Sequence, residues 1–168
     1  MKEAVWLLYM VMISAPVSAK ERLGVYQSWA AFHEPQTPRC YAIAAPEESL
    51  RTPTQPAFLS VGFWPKRNVR QQLYVRLSRN RASNGDVTLS AGGRRFRLQA
   101  VGNIAWAVDR RMDLAIVSAI RAAKSLSIEA IGENGKSIVD IYSLRGAPSA
   151  IDAAALRCAQ IKIKLKSN

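Results

Sequence analysis

Residues 86–101 read DVTLSAGGRRFRLQAV, and this stretch decides the fold. Val87 and Leu89 alternate with polar neighbours up to Ala91, as a strand with one buried face requires. Gly92-Gly93 then supplies the backbone freedom of a two-residue hairpin turn. The return run, Arg94 to Val101, sends Phe96, Leu98 and Ala100 to one side and Arg95, Arg97 and Gln99 to the other. A hairpin with a single apolar face needs a second layer to cover it, so the chain reads as mainly β and layered.

The same alternation extends in both directions. Upstream, Phe58 to Trp64 is a strand stopped by Pro65, and residues 72–79 turn Leu73, Val75 and Leu77 away from Tyr74, Arg76 and Ser78. Asn84-Gly85 marks a turn. Residues 24–32 suit an opening strand, His33 to Pro38 breaks it, and residues 39–45 form a second strand with Cys40, Ala42 and Ala44 on one face. Residues 46–57 carry Pro46, Pro53 and Pro56 and read as a loop.

Downstream, residues 104–108 suit one more short strand. Met112, Ile116, Ile120 and Ala123 then fall at helical spacing behind an Asp109 cap, which predicts a helix over 110–124. Residues 126–131 and 137–143 are strands joined through Asn134-Gly135. Ser149 and Asp152 stand as a capping box for a helix over 149–159, which turns Cys158 inward, toward the strand of Cys40. The tail, Ile161 to Lys166, alternates Ile-Lys-Ile-Lys-Leu-Lys and is expected as an edge strand whose lysines deter association. The fold expected is an antiparallel β-sandwich with two helices, 110–124 and 149–159, packed on it.

The chain begins with a short polar start at Lys2, an apolar run from Ala4 to Ile13, a break at Pro16 and small residues at Val17-Ser18-Ala19. That is the layout of a signal peptide over 1–19, cleaved before Lys20, leaving one domain over 20–168. The apolar run is too short to span a bilayer. A periplasmic location follows from export, with the outer surface or secretion as further destinations. In an oxidising compartment the only two cysteines, Cys40 and Cys158, read first as a disulfide.

Lys and Arg number 24 against 12 Asp and Glu, a net charge of +12. Such an excess favours acidic partners: an anionic membrane, a lipopolysaccharide surface or an acidic envelope protein. Export argues against nucleic acid. Arg76, Arg95 and Arg97 are expected on the outward sheet face, and Lys66, Arg67 and Arg70 crowd the loop before it; these six are the candidate anion-binding residues.

Catalysis finds little support. His33 is the only histidine and reads as an exposed loop residue. No GxSxG, SxxK or P-loop motif occurs. Asp109 and Asp113 read as helix-capping acids, and Glu47-Glu48 as solvated. No catalytic residue, cofactor or metal site is therefore expected; two distant sulfurs and one histidine are too few for a closed zinc site. A periplasmic enzyme or enzyme inhibitor would instead need a cleft gathering His33 with carboxylates.

The run Val139-Asp140-Ile141-Tyr142-Ser143-Leu144-Arg145-Gly146, followed by the alanine-rich helix from Ser149 to Cys158, resembles the end of the invasion-associated locus B family of exported bacterial proteins. Trp29 and Arg39-Cys40-Tyr41 also sit where that family places an aromatic and a cysteine. The resemblance implies a β-sandwich of the Gram-negative periplasm or outer envelope, associated with host-cell invasion in some pathogens. It supplies no catalytic residues.

Overall fold

The computed structural model describes residues 20–50 and 52–166. The segment read as a signal peptide, 1–19, lies outside the described residues. Among the described residues, eleven strands form one antiparallel sheet: β1 (Glu21–Tyr26), β2 (Trp29–Glu34), β3 (Arg39–Ala44), β4 (Glu48–Ser49), β5 (Phe58–Trp64), β6 (Val69–Arg76), β7 (Val87–Ala91), β8 (Arg94–Val101), β9 (Ile104–Trp106), β10 (Ser125–Ile131) and β11 (Ser137–Ser143). Their spatial order is β1-β2-β3-β5-β6-β9-β8-β7-β10-β11-β4. Two helices, α1 (Arg110–Ala122) and α2 (Ala147–Lys166), pack on it. The architecture is mainly β and sandwich-like, as the hairpin at 86–101 predicts.

One strand makes the two layers continuous. The first half of β8 pairs with β7, Leu98 opposite Val87 and Arg94 opposite Ala91. Its last residues pair with β9, Gln99 opposite Trp106 and Val101 opposite Ile104. β9 reaches only Val75 and Arg76 of β6 and then stops. Beyond that point α1 replaces it: the Leu73 backbone N–H, left without a strand partner, donates to Asp113 Oδ1 at 2.8 Å. Asp113 is therefore a buried carboxylate stitching helix to sheet, where the sequence suggested a capping acid; Asp109 alone caps, accepting from Met112 N.

The layers also close on their other side. β4 pairs with β11, Ser49 opposite Asp140. The buried Asp140 carboxylate accepts from Ser49 Oγ at 2.7 Å and from Ser78 N at 3.0 Å, tying β11 to both neighbouring segments. Trp29 Nε1 donates to the Ser143 carbonyl at 2.9 Å across the layers. Leu59, Val61, Leu73 and Val75 from one half meet Leu89, Leu98, Ile128 and Ile138 from the other in a single core with Ile116 and Ile120 of α1.

The Cys40–Cys158 disulfide, spanning 118 residues, fixes α2 to β3. α2 lies over the buried face of β1, β2 and β3 and carries Ala150, Ile151 and Ala154 into the core. Gly146, just before it, has φ of 86°, and a Cβ there would stand 1.8 Å from the Tyr26 carbonyl oxygen. Only glycine fits that approach. No described helix is long and apolar enough to cross a membrane.

Other expectations need correction. The 46–57 segment is not loop throughout, since it carries β4, and Ser149 lies inside α2 and does not cap it. The opening strand is two strands, because Gln27 takes a left-handed φ of 55° and turns the chain. His33 is not an exposed loop residue: it lies in β2, 6% exposed, opposite Cys40 and hydrogen-bonded through Nδ1 to Glu21 Oε2 at 2.8 Å. The tail is not an edge strand, because α2 begins at Ala147 and runs on to Lys166. Nothing from Gln160 onward stops a helix, since glycine and proline are both absent there.

Candidate anion-binding surface

Cross-strand partners point to the same side of a sheet. The register Phe32–Tyr41–Gly62–Gln72 and the pairs Ser60–Tyr74 and Phe58–Arg76 place these residues on the side away from Cys40 and α2. Aromatic rings cluster there. Phe32 stacks on Tyr41 with centroids 5.7 Å apart, and Phe58 stacks on Tyr74 at 5.7 Å. Trp64 covers Gly62, where a Cβ would come within 2.5 Å of its indole ring, so the flat surface depends on that glycine.

Cations interleave with these rings. Lys20 Nζ sits 5.3 Å from the Phe32 centroid and 5.4 Å from that of Tyr41, and the Arg39 guanidinium sits 5.1 Å over Tyr41. Arg22, opposite Phe32, and Arg76, opposite Phe58, extend the row. Glu34 is the one carboxylate the described strands place on this face. Arg39 Nε donates to it at 2.8 Å, as does the Tyr41 hydroxyl at 2.8 Å, and Lys20 approaches at 3.3 Å. The Arg39 hydrogen bond is the main force holding the Glu34 carboxyl down at about 2, so it remains charged at neutral pH. Arg22 and Arg76 have no carboxylate within 4.0 Å among the described residues, so they are the uncompensated charges of this face.

The six predicted residues do not form one patch. Arg76 joins the aromatic face. Arg95 and Arg97 lie outward on β8, as expected, but β9 separates them from β6. Each also meets an acid, Arg95 with Glu129 at 3.4 Å and Arg97 with Asp86 at 2.5 Å. Lys66 and Arg67 form an exposed 3-10 turn (Pro65–Arg67) at the far end of β6. Arg70 follows them in a β-bulge: Trp64 pairs with Val69 and Gly62 with Gln72, so Arg70 and Gln71 together oppose Phe63. Gln71 holds a left-handed φ of 59°, a strain of about 1–3 kcal/mol that the surrounding strands must sustain.

That bulge opens a groove of about 640 Å3 between α2, α1 and the ends of β5 and β6. Arg70 and Arg110 line it among mainly apolar side chains, and Cys158 forms part of its wall. His33 is not among its lining residues; Glu21, its partner, also accepts from Arg157 Nη2 of α2 at 3.1 Å. The described residues hold no cluster of three or more metal-ligating side chains. Sequence reasoning missed Lys20, Arg22 and Arg39, although the alternation of Arg39, Tyr41 and Ile43 against Cys40, Ala42 and Ala44 carries the signal for one of them.

No protein-family model matches the chain, and no curated protein sequence matches it significantly. Among solved structures, invasion associated protein B from Bartonella henselae is similar with a TM-score of 0.56 and 17% identity. The likeness covers 83% of this chain and 99% of that one. The sandwich implied by residues 139–158 is therefore the fold that this chain shares with invasion associated protein B.

Proposed function

We propose that the chain is an exported envelope protein of the invasion-associated type that binds an anionic envelope component through the outer face of β2, β3, β5 and β6. One observation carries this reading: uncompensated Arg22 and Arg76 flank stacked aromatic rings on the sheet face turned away from α2. Arginine beside aromatic surface suits a ligand that presents negative charge on an amphipathic frame, such as a lipid headgroup layer. The disulfide and the fold likeness support a periplasmic or outer-envelope setting. The role is one of binding, without chemistry, and His33, buried and committed to Glu21, supports that assignment.

Binding of the mature chain to vesicles tests the proposal. Attachment to anionic vesicles is expected at low salt, fading as ionic strength rises, because each basic residue near such a surface contributes about 1 kcal/mol. Equally weak attachment to anionic and neutral vesicles at low salt would overturn it.

A further inference from the structure

We propose that the groove beside the disulfide is a second, separate site that binds one medium-chain fatty acid, its carboxylate held by Arg70 and Arg110 and its chain laid along α2. Its volume of about 640 Å3 falls in the range of small-ligand sites. The apolar part is contributed by surface that the fold leaves in water. Leu114 of α1 is 46% exposed, and Leu156 and Ile163 of α2 are 66% and 69% exposed. Leu156 and Ile163 stand two helical turns apart, hence on one side of α2, and all three line the groove with Phe63 and Trp64.

The charged part is selective in sign. No acidic side chain lines the groove, whereas Arg70 and Arg110 both do, and neither has a carboxylate within 4.0 Å among the described residues. A planar guanidinium pairs with a carboxylate through two parallel hydrogen bonds. An apolar groove whose only charged lining residues are two arginines without acidic partners matches a molecule with an alkyl chain and one terminal carboxylate. The left-handed Gln71 and the bulge that brings Arg70 to the rim give the groove a built backbone, of a kind that persists where a site requires it.

Calorimetric titration of the disulfide-bonded chain, without vesicles, tests the site with dodecanoate, dodecanol and acetate. Saturable one-to-one binding of dodecanoate is expected, at least tenfold weaker binding of dodecanol, and none of acetate. Arg70→Gln with Arg110→Gln should weaken dodecanoate at least tenfold, and Leu156→Asp, at an exposed position, should do the same. Arg76→Glu, on the other face, should leave it unchanged, which separates this site from the vesicle-binding face. Absence of saturable dodecanoate binding, equal affinity for dodecanol, or indifference to the arginine pair would overturn the proposal.

Discussion

Two arginine-bearing surfaces of one sheet differ in how their charge is spent. On β8, Arg95 and Arg97 meet Glu129 and Asp86 across the neighbouring strand and turn. On the β2-β3-β5-β6 face, Arg22 and Arg76 meet aromatic rings, and the single carboxylate, Glu34, is taken by Arg39 and Lys20. Exposed ion pairs contribute roughly 0–1 kcal/mol to folding, so the β8 pairs add little stability, yet they cancel the charge that an anion would seek. Under the proposed function, net charge alone therefore does not mark the binding surface; the unmatched arginines do.

The disulfide offers the largest lever on this contrast, because it anchors α2 beneath the aromatic face and not beneath β7 and β8. Closing a loop of this size contributes up to about 4.7 kcal/mol in the chain-entropy model. Cys40→Ala with Cys158→Ala should lower the unfolding free energy by several kcal/mol in denaturant titration and make α2 amides exchange faster than those of β10 and β11. Uniform exchange across both regions would mean that the two halves do not differ in this way.

Asp113, at the junction where β9 gives way to α1, comes next. Burial pushes its carboxyl up to about 6 from an ordinary 3.8, against the opposing hydrogen bond from Leu73 N. A raised acid favours the folded state while protonated; that contribution is complete below pH 3.8 and is lost as pH rises to about 6. Asn at this position keeps the acceptor for Leu73 without the charge. Asp113→Asn should therefore match the parent near pH 3.5 and exceed it by about 2 kcal/mol at pH 7.5, at roughly 1.4 kcal/mol per pH unit less an allowance for solvent screening. A constant difference across that range would refute the assignment.

Tyr142 should give the smallest effect. Its hydroxyl is buried with no hydrogen-bond partner among the described residues, and burial, then the neighbouring Asp140, drives its ionisation upward. Tyr142→Phe removes an unsatisfied polar atom from the β11 layer and should change stability by less than about 1 kcal/mol, toward greater stability. A loss above that, measured by thermal unfolding, would reveal a partner for the hydroxyl.

Much of this architecture is legible in the chain itself. The 86–101 hairpin, the strands over 58–64 and 137–143, the α1 cap and the inward Cys158 all follow from side-chain period, turn glycines and capping chemistry, which are local signals. What escapes is non-local. His33 is buried only because β1 and β3 flank it and α2 covers it. Asp113 is buried because β9 is three residues long. The Ile161–Lys166 alternation reads as a strand, yet a helix already running from Ala147 meets no breaker there. Pairing of Arg95 and Arg97 depends on the registers of β8 and β10 against β7, and the Arg70 groove on one extra residue in β6. None of these is written in a single segment.

The most direct test sets the two arginine surfaces against each other. Binding to anionic vesicles at about 50 mM salt, well inside the range where surface charge is weakly screened, should fall at least tenfold for Arg22→Glu with Arg76→Glu and less than threefold for Arg95→Glu with Arg97→Glu. Equal losses from both pairs would contradict the claim that the unmatched arginines of the aromatic face make the contact.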